Sequence, residues 1–175
     1  MVKQNLCVYG LLNLLAVDVG KCVADDLGMY FADVGALIEF DLIDKMRAEA
    51  LCGKDYVKKV ESKTIKNVST FENTLFVCDY SLLNDEKNLE YVKKKSYCVY
   101  IRFSKANLEK AYNMQGLRKA DIELKLNMMA IRDRLCKKYA DLVVDCKSLD
   151  KDIIIDNIKN KLMELVKNGN WRKGD

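Results

Sequence analysis

Five short apolar runs alternate with longer stretches of helical periodicity, and this alternation constrains the fold more than any other feature of the chain. Short apolar runs bounded by glycine, asparagine or aspartate are typical of buried strands. Strands that alternate with helices form βαβ units, which place parallel strands side by side and cover both faces of the sheet with helices. We therefore predict an α/β fold with a doubly wound, mostly parallel five-stranded sheet. The predicted strands are Leu6–Tyr9, Met29–Ala32, Thr74–Cys78, Tyr97–Phe103 and Ala140–Asp145.

The stretches between these runs predict the helices. Gly28 and Gly53 stand where two of the helices should end, because glycine adopts the left-handed conformation of a helix C-terminus without steric cost. The predicted helices are 12–27, Leu37–Leu51, Asp55–Val68, Asp85–Lys95, Ala106–Asn113, Glu123–Tyr139 and Lys151–Val166.

In such sheets ligands bind beyond the carboxyl ends of the strands, so candidate functional residues are sought there. The strand ends are Gly10, Asp33, Asp79, Phe103–Ser104 and Asp145.

Length and composition predict one globular domain over residues 1–175, without nucleic-acid binding. The 30 basic residues are offset by 26 acidic ones, which leaves a net charge of +4 and no basic footprint. The chain has no histidine, so no histidine can act as a base or a ligand. Its seven cysteines lack CxxC spacing and lie mostly in apolar runs, which indicates core thiols in a reducing cytoplasm and argues against zinc. We expect no signal peptide, no membrane span and a monomer or weak dimer.

Three segments resemble the shikimate kinase family, in the family's order and spacing. LGMYFADVGALIE (27–39) is similar to the family stretch that leads through a strand to D-x-D-x-x-I-E. GKDYVKKVE (53–61) resembles G-E-x-x-F-R-x-x-E, and MAIRDRLCKKYADLVV (129–144) resembles E-R-x-P-x-Y-x-x-x-A-D. The resemblance covers roughly residues 5–166 and implies a P-loop kinase fold. It also implies a lid at about 113–126, a substrate-type helical subdomain at about 34–68 and a role in aromatic amino acid biosynthesis.

The family's phosphate loop, G-x-x-G-x-G-K-[ST], falls by this resemblance on GLLNLLAV, from Gly10 to Val17. Gly10 is kept. Asn13 and Leu15 replace the two inner glycines, Ala16 replaces the phosphate-binding lysine, and Val17 replaces the hydroxyl that holds Mg²⁺. Such a loop needs glycines to close its backbone N–H groups around phosphate and a lysine to neutralise charge. A shifted motif, Gly20-Lys21-Cys22, is a weaker alternative, because no glycine-rich turn precedes it.

The resemblance also implies a substrate-type site in which several positions are changed. Asp33 matches a family carboxylate near the metal, so it is the candidate catalytic residue and Mg²⁺ ligand; it could equally cap the following helix. Gly35 takes the place of the second carboxylate, and Asp79, followed by Tyr80 and Ser81, falls on a triple glycine.

Three basic positions complete this set. Lys58 replaces an arginine, Arg132 matches the arginine that holds the shikimate carboxylate, and Arg118 corresponds to a lid arginine. Lys58 and Arg132 could bind a small carboxylate or form surface ion pairs. Glu61 is expected to pair with Lys58 or another cation.

Two functions are consistent with these residues. The first is a shikimate kinase-like pseudoenzyme with a binding, regulatory or assembly role, whose partner is a small carboxylate or a protein and which needs no cofactor. The second is an active small-molecule kinase that phosphorylates shikimate with an atypical loop and uses ATP and Mg²⁺.

Overall fold

Strands and helices alternate along the whole of the chain that the structure describes. The computed structural model describes residues 4–10, 13–78 and 85–167, without the side chains of residues 13, 14 and 165–167. The strands are β1 (Asn5–Tyr9), β2 (Tyr30–Asp33), β3 (Thr74–Cys78), β4 (Ser96–Phe103) and β5 (Leu142–Cys146). The helices in these ranges are α1 (Asn13–Leu27), α2 (Val34–Leu42), α3 (Lys45–Cys52), α4 (Lys54–Val68), α5 (Glu86–Lys95), α6 (Lys105–Met114), α7 (Lys119–Tyr139) and α8 (Lys151–Lys167).

All five strands form one parallel sheet in the order β2-β3-β1-β4-β5. The predicted α/β fold with a five-stranded parallel sheet is therefore confirmed. β1 lies at the centre and all five of its residues are buried, as the apolar run Leu6–Tyr9 predicts. None of the described helices has the length and apolar character needed to cross a membrane.

Alternate residues of β1 point into two separate cores, one on each face of the sheet. Leu6 and Val8 belong to the core beneath α1 and α8, and Cys7 and Tyr9 belong to the core beneath α2, α4 and α5. Helix α7 contributes to both cores, because Ile122, Leu126 and Met129 pack in the first, whereas Cys136 and Tyr139 pack in the second. Helix α7 therefore passes from one layer to the other near β4.

Close packing explains Gly20 in the middle of α1. A Cβ atom at this position would lie 2.6 Å from Phe31 Cε2 and 2.6 Å from Val77 Cγ1. Only a residue without a side chain lets α1 approach β2 and β3 this closely.

The prediction of one helix over Leu37–Leu51 is wrong. The chain forms α2 and α3 instead, and Ile43 separates them with a φ of 64°. Asp44 then caps α3 by accepting a hydrogen bond from the backbone N–H of Arg47 at 2.9 Å. Gly53 ends α3 with a φ of 84°, as predicted.

Candidate functional site

The carboxyl ends of the central strands meet in a tightly packed corner. Register places Tyr9 beside Cys78 on one side and Tyr100 on the other, and the rings of Tyr9 and Tyr100 stack 5.6 Å apart. Gly10 follows with a φ of 87°. A Cβ atom there would lie 2.4 Å from the carbonyl oxygen of Ile101 and 2.6 Å from Tyr100 Cε2. Gly10 is therefore required by the turn itself and by the close approach of β4.

The start of α1 faces the protein interior with aliphatic side chains. Leu15 and Ala16 are half-buried and pack against the core beneath α1 and α8. Val17 is also half-buried, and Lys21 is exposed, about 12 Å along the helix axis from the first residue of α1. The side chain of Asn13 lies outside the described residues. The predicted phosphate-loop positions that are described thus carry neither a charge nor an oxygen on their side chains.

Asp33 acts as the N-cap of α2. Its Oδ1 accepts a hydrogen bond from the backbone N–H of Ala36 at 3.2 Å. A Cβ atom on Gly35 would lie 3.2 Å from the same oxygen, so the glycine leaves room for the capping carboxylate. Among the described residues, no group of three or more Cys, Asp or Glu side chains is arranged to hold a metal ion.

The predicted basic positions belong to two helices, α4 and α7. Lys58 lies on the exposed side of α4, in an open groove lined by described residues of α4 and by Asp85, with none from α7. Arg132 is half-buried on α7, and its side chain is not free of interactions with the surrounding protein. Arg118 is 85% exposed and pairs with Asp121 at 2.8 Å, at the start of α7. The described groove beside Lys58 includes neither Arg118 nor Arg132.

Glu61 and Asp79 complete the set of predicted site residues. Glu61 is buried and pairs with Lys45 at 2.6 Å, so the predicted salt bridge forms with a cation other than Lys58. Asp79 lies outside the described residues, together with Tyr80 and Ser81. The predicted lid region, 113–126, contains the end of α6, the connection 115–118 and the first turns of α7.

A charged network at the carboxyl end of β4 was not predicted from the sequence. Arg102 donates from Nε to Asp133 Oδ1 and from Nη1 to Asp145 Oδ1, both at 3.0 Å. Tyr100 donates its hydroxyl to Asp133 Oδ1 at 3.0 Å, and Lys137 pairs with Asp133 Oδ2 at 2.8 Å. Asp133 therefore joins α7 to β4 and, through Arg102, to the neighbouring strand β5.

The network shifts the protonation of its members. Burial by itself raises the pKa of Asp133, but hydrogen bonds from Lys137, Tyr100 and Arg102 outweigh it and hold the pKa below its ordinary value. Burial is the main reason that the pKa of Tyr100 is raised, with the negative side chains around it adding to the effect. Asp133 is therefore a carboxylate and Tyr100 a neutral hydroxyl donor at neutral pH.

A cavity of about 240 Å³ opens beside this network. Its apolar walls come from β4, α6 and α7, and the charged groups stand at its mouth. The lining residues are Tyr100, Arg102, Phe103, Lys105, Leu108, Leu126, Met129, Ala130 and Asp133. The cavity lies at the end of a parallel strand, which is where ligands bind in folds of this class.

Comparison with known proteins identifies the family. The family model for shikimate kinase matches residues 18–163. The chain belongs to the shikimate kinase family. A shikimate kinase from Clostridium botulinum is 21% identical over 100 residues, which cover 57% of this chain and 61% of that relative's length.

Solved structures of the family share the fold. Shikimate kinase from Bacteroides thetaiotaomicron superimposes with a TM-score of 0.78 at 16% identity, covering 93% of this chain and 98% of the other. Shikimate kinase from Acinetobacter baumannii, in complex with shikimate, also has a TM-score of 0.78, at 18% identity, covering 97% and 96% of the two chains. A gluconokinase from Sinorhizobium meliloti is more distant, with a TM-score of 0.61 at 17% identity and coverage of 94% for both chains.

Proposed function

We propose that this member of the shikimate kinase family does not transfer phosphate and serves instead as a binding or regulatory protein. The packing of Leu15 and Ala16 against the core carries the proposal. These two residues stand, by the family resemblance, at a glycine and at the phosphate-binding lysine of the loop.

A bound phosphate needs partners that compensate its negative charge. A phosphate chain buried without cations and backbone N–H donors is costly by several kcal/mol. The side chains of Ala16 and Val17 supply neither a cation nor a hydroxyl, and Asp33 uses one carboxylate oxygen to cap α2. ATP and Mg²⁺ therefore fit these residues poorly, and no catalytic step is assigned to them. The shifted motif is a poor substitute, because Gly20 is explained by packing and Lys21 is exposed on the helix surface.

A binding role without catalysis needs only the residues that would hold the ligand. Arg132 matches the arginine that holds the substrate carboxylate, so we propose a small carboxylate as the ligand at that position, or a protein partner in its place. We also propose the cytoplasm as its location, since all seven cysteines are free thiols and five of them are buried.

Calorimetry with ATP and Mg²⁺ tests the loss of catalysis. At a hundredfold excess over its dissociation constant, a nucleotide would stabilise the fold by about 2.7 kcal/mol. We expect no stabilisation at millimolar ATP and no ADP release when shikimate is added. The Acinetobacter baumannii relative serves as the assay's reference protein. Nucleotide binding together with shikimate-dependent ADP release would establish the active kinase instead.

Titration with shikimate alone tests the binding role. We expect stabilisation by shikimate that disappears in Arg132→Met and persists in Lys66→Met, a matched change at an exposed lysine of α4. Equal responses of the two variants would argue against a carboxylate site at Arg132.

A further inference from the structure

We propose that the cavity at the end of β4 is a second binding site, and that it takes a small aromatic monocarboxylate. Tyr100, Phe103, Leu108, Leu126 and Met129 form its walls, and none of the described phosphate-loop or substrate-type positions lines it. Its volume of about 240 Å³ equals that of about eight liquid water molecules, which is room for a six-membered ring and a short chain.

The walls favour an apolar body. Four apolar wall residues are each at least 92% buried, so packing against the surrounding protein fixes their positions. They are Phe103, Leu108, Leu126 and Met129. A water-filled cavity with such walls gains free energy when an apolar group displaces the water. Tyr100, which is buried, adds an aromatic side chain to this lining.

The charges at the mouth favour an anion. Both carboxylates of the network already have cationic partners, since Asp133 pairs with Arg102 and Lys137, and Asp145 pairs with Arg102. The ammonium group of Lys105 forms no hydrogen bond or ion pair with the described residues. The Nη2 group of Arg102 also donates to no described residue, so two cationic donors remain for a carboxylate.

The position of Lys105 adds to this preference. Lys105 is the first residue of α6, whose N-cap is Ser104, so the mouth of the cavity lies at the positive end of the helix dipole. A ligand with its ring between Leu126 and Met129 would place its carboxylate toward Lys105 and Arg102. A cationic or neutral analogue would leave these donors without a new acceptor.

Methyl NMR of the full chain labelled at methionine tests the proposal. The probes are phenylacetate, 2-phenylethanol and 2-phenylethylamine, which share the ring and differ in charge. We expect phenylacetate to shift the Met129 methyl signal with a dissociation constant on the order of 1 mM, a reasonable value for about ten non-hydrogen atoms. The Met163 methyl on α8 should stay unchanged, and the two analogues should bind about tenfold more weakly.

Variants test whether phenylacetate binds in this cavity or elsewhere on the protein. Lys105→Gln should weaken phenylacetate binding about tenfold, and Lys110→Gln, an exposed lysine on the same helix, should leave it unchanged. Ala130→Trp should block the mouth without altering the core, because Ala130 is an exposed lining residue. A Met129 signal that does not respond to phenylacetate, or equal binding of all three probes, would overturn the proposal. Loss of binding in Arg132→Met but not in Lys105→Gln would do the same and would assign the carboxylate to the substrate-type site.

Discussion

The carboxylate of Glu61 lies 2.6 Å from the ammonium group of Lys45, although only 5% of Glu61 is exposed. The pair ties α3 to α4, and Thr64 adds a second link by donating its hydroxyl to Asp41 of α2 at 2.7 Å. The three helices over residues 34–68 are therefore joined by polar contacts as well as by apolar packing.

Removing the cation of this pair should destabilise the protein strongly. In Lys45→Met, the carboxylate of Glu61 stays buried without its closest compensating charge, and we expect a loss of about 2 kcal/mol in urea unfolding. The double variant Lys45→Met/Glu61→Leu should recover most of that loss, because neither charge remains. Lys54→Met is the control, since its pair with Glu49 is exposed and 3.7 Å long. Equal losses in Lys45→Met and Lys54→Met would contradict the prediction.

Gly20→Ala should destabilise the fold, although the same change in an ordinary helix interior stabilises it by about 1 kcal/mol. The added methyl group would collide with Phe31 and Val77, and overpacking of this kind costs about 1–3 kcal/mol. Thermal and urea unfolding measure the change. In a Val77→Ala background the cost should fall, because one of the two crowding atoms is absent. A stabilising Gly20→Ala would show that α1 does not need this close approach.

Asp33 should behave as a helix cap. Asp33→Ala should cost about 1 kcal/mol, whereas Asp33→Asn, which still offers an oxygen to Ala36, should cost less than about half of that. Urea unfolding measures the loss of the cap, and its repetition with 10 mM Mg²⁺ measures whether the metal ion stabilises the protein. Stabilisation of the unmodified protein by Mg²⁺ that Asp33→Asn abolishes would instead identify a metal ligand.

The Asp133 network predicts a loss of stability in acid. Because the folded-state pKa of Asp133 lies below its unfolded value, its contribution is fully present above about pH 4 and disappears as pH falls through the folded pKa. Unfolding free energies between pH 6 and pH 3 should fall more steeply for the unmodified protein than for Asp133→Asn. Asp152→Asn, on the exposed first turn of α8, is the control and should keep the original slope. Parallel curves for all three proteins would rule out Asp133 as a source of the acid sensitivity.

The sheet could be predicted because its strands are short, apolar and separated by residues that favour turns. The prediction for Thr74–Cys78 coincides with the observed strand, and the limits of the other strands differ by at most two residues. The break between α2 and α3 was missed because LIEFDLIDKM continues the apolar spacing through Ile43. A positive φ is rare for a β-branched residue such as Ile43, so the local sequence does not predict a helix break there.

The candidate site was only partly predictable. Strand ends located the right edge of the sheet, and the capping alternative for Asp33 was anticipated. The network around Asp133 joins residues that lie 31 and 43 positions apart in sequence, and such pairings depend on how α7 and β5 are placed beside β4. One signal was present: Arg102 interrupts the apolar run YCVYIRF, and a charge in a buried strand needs a partner.

The central place of β1 governs the order in which the sheet can assemble during synthesis. Leu6 pairs with Leu75 and Tyr97, so β1 leaves the ribosome before either of its neighbours and must wait for both. At about 5–20 residues per second, the second neighbour follows roughly 5–20 seconds later. The first two strands cannot pair in the meantime, because β3 lies between them. A nascent chain that ends before Thr74 thus contains no adjacent strands. Its apolar residues 6–9, which are buried in the folded sheet, depend on helices or chaperones for cover until then.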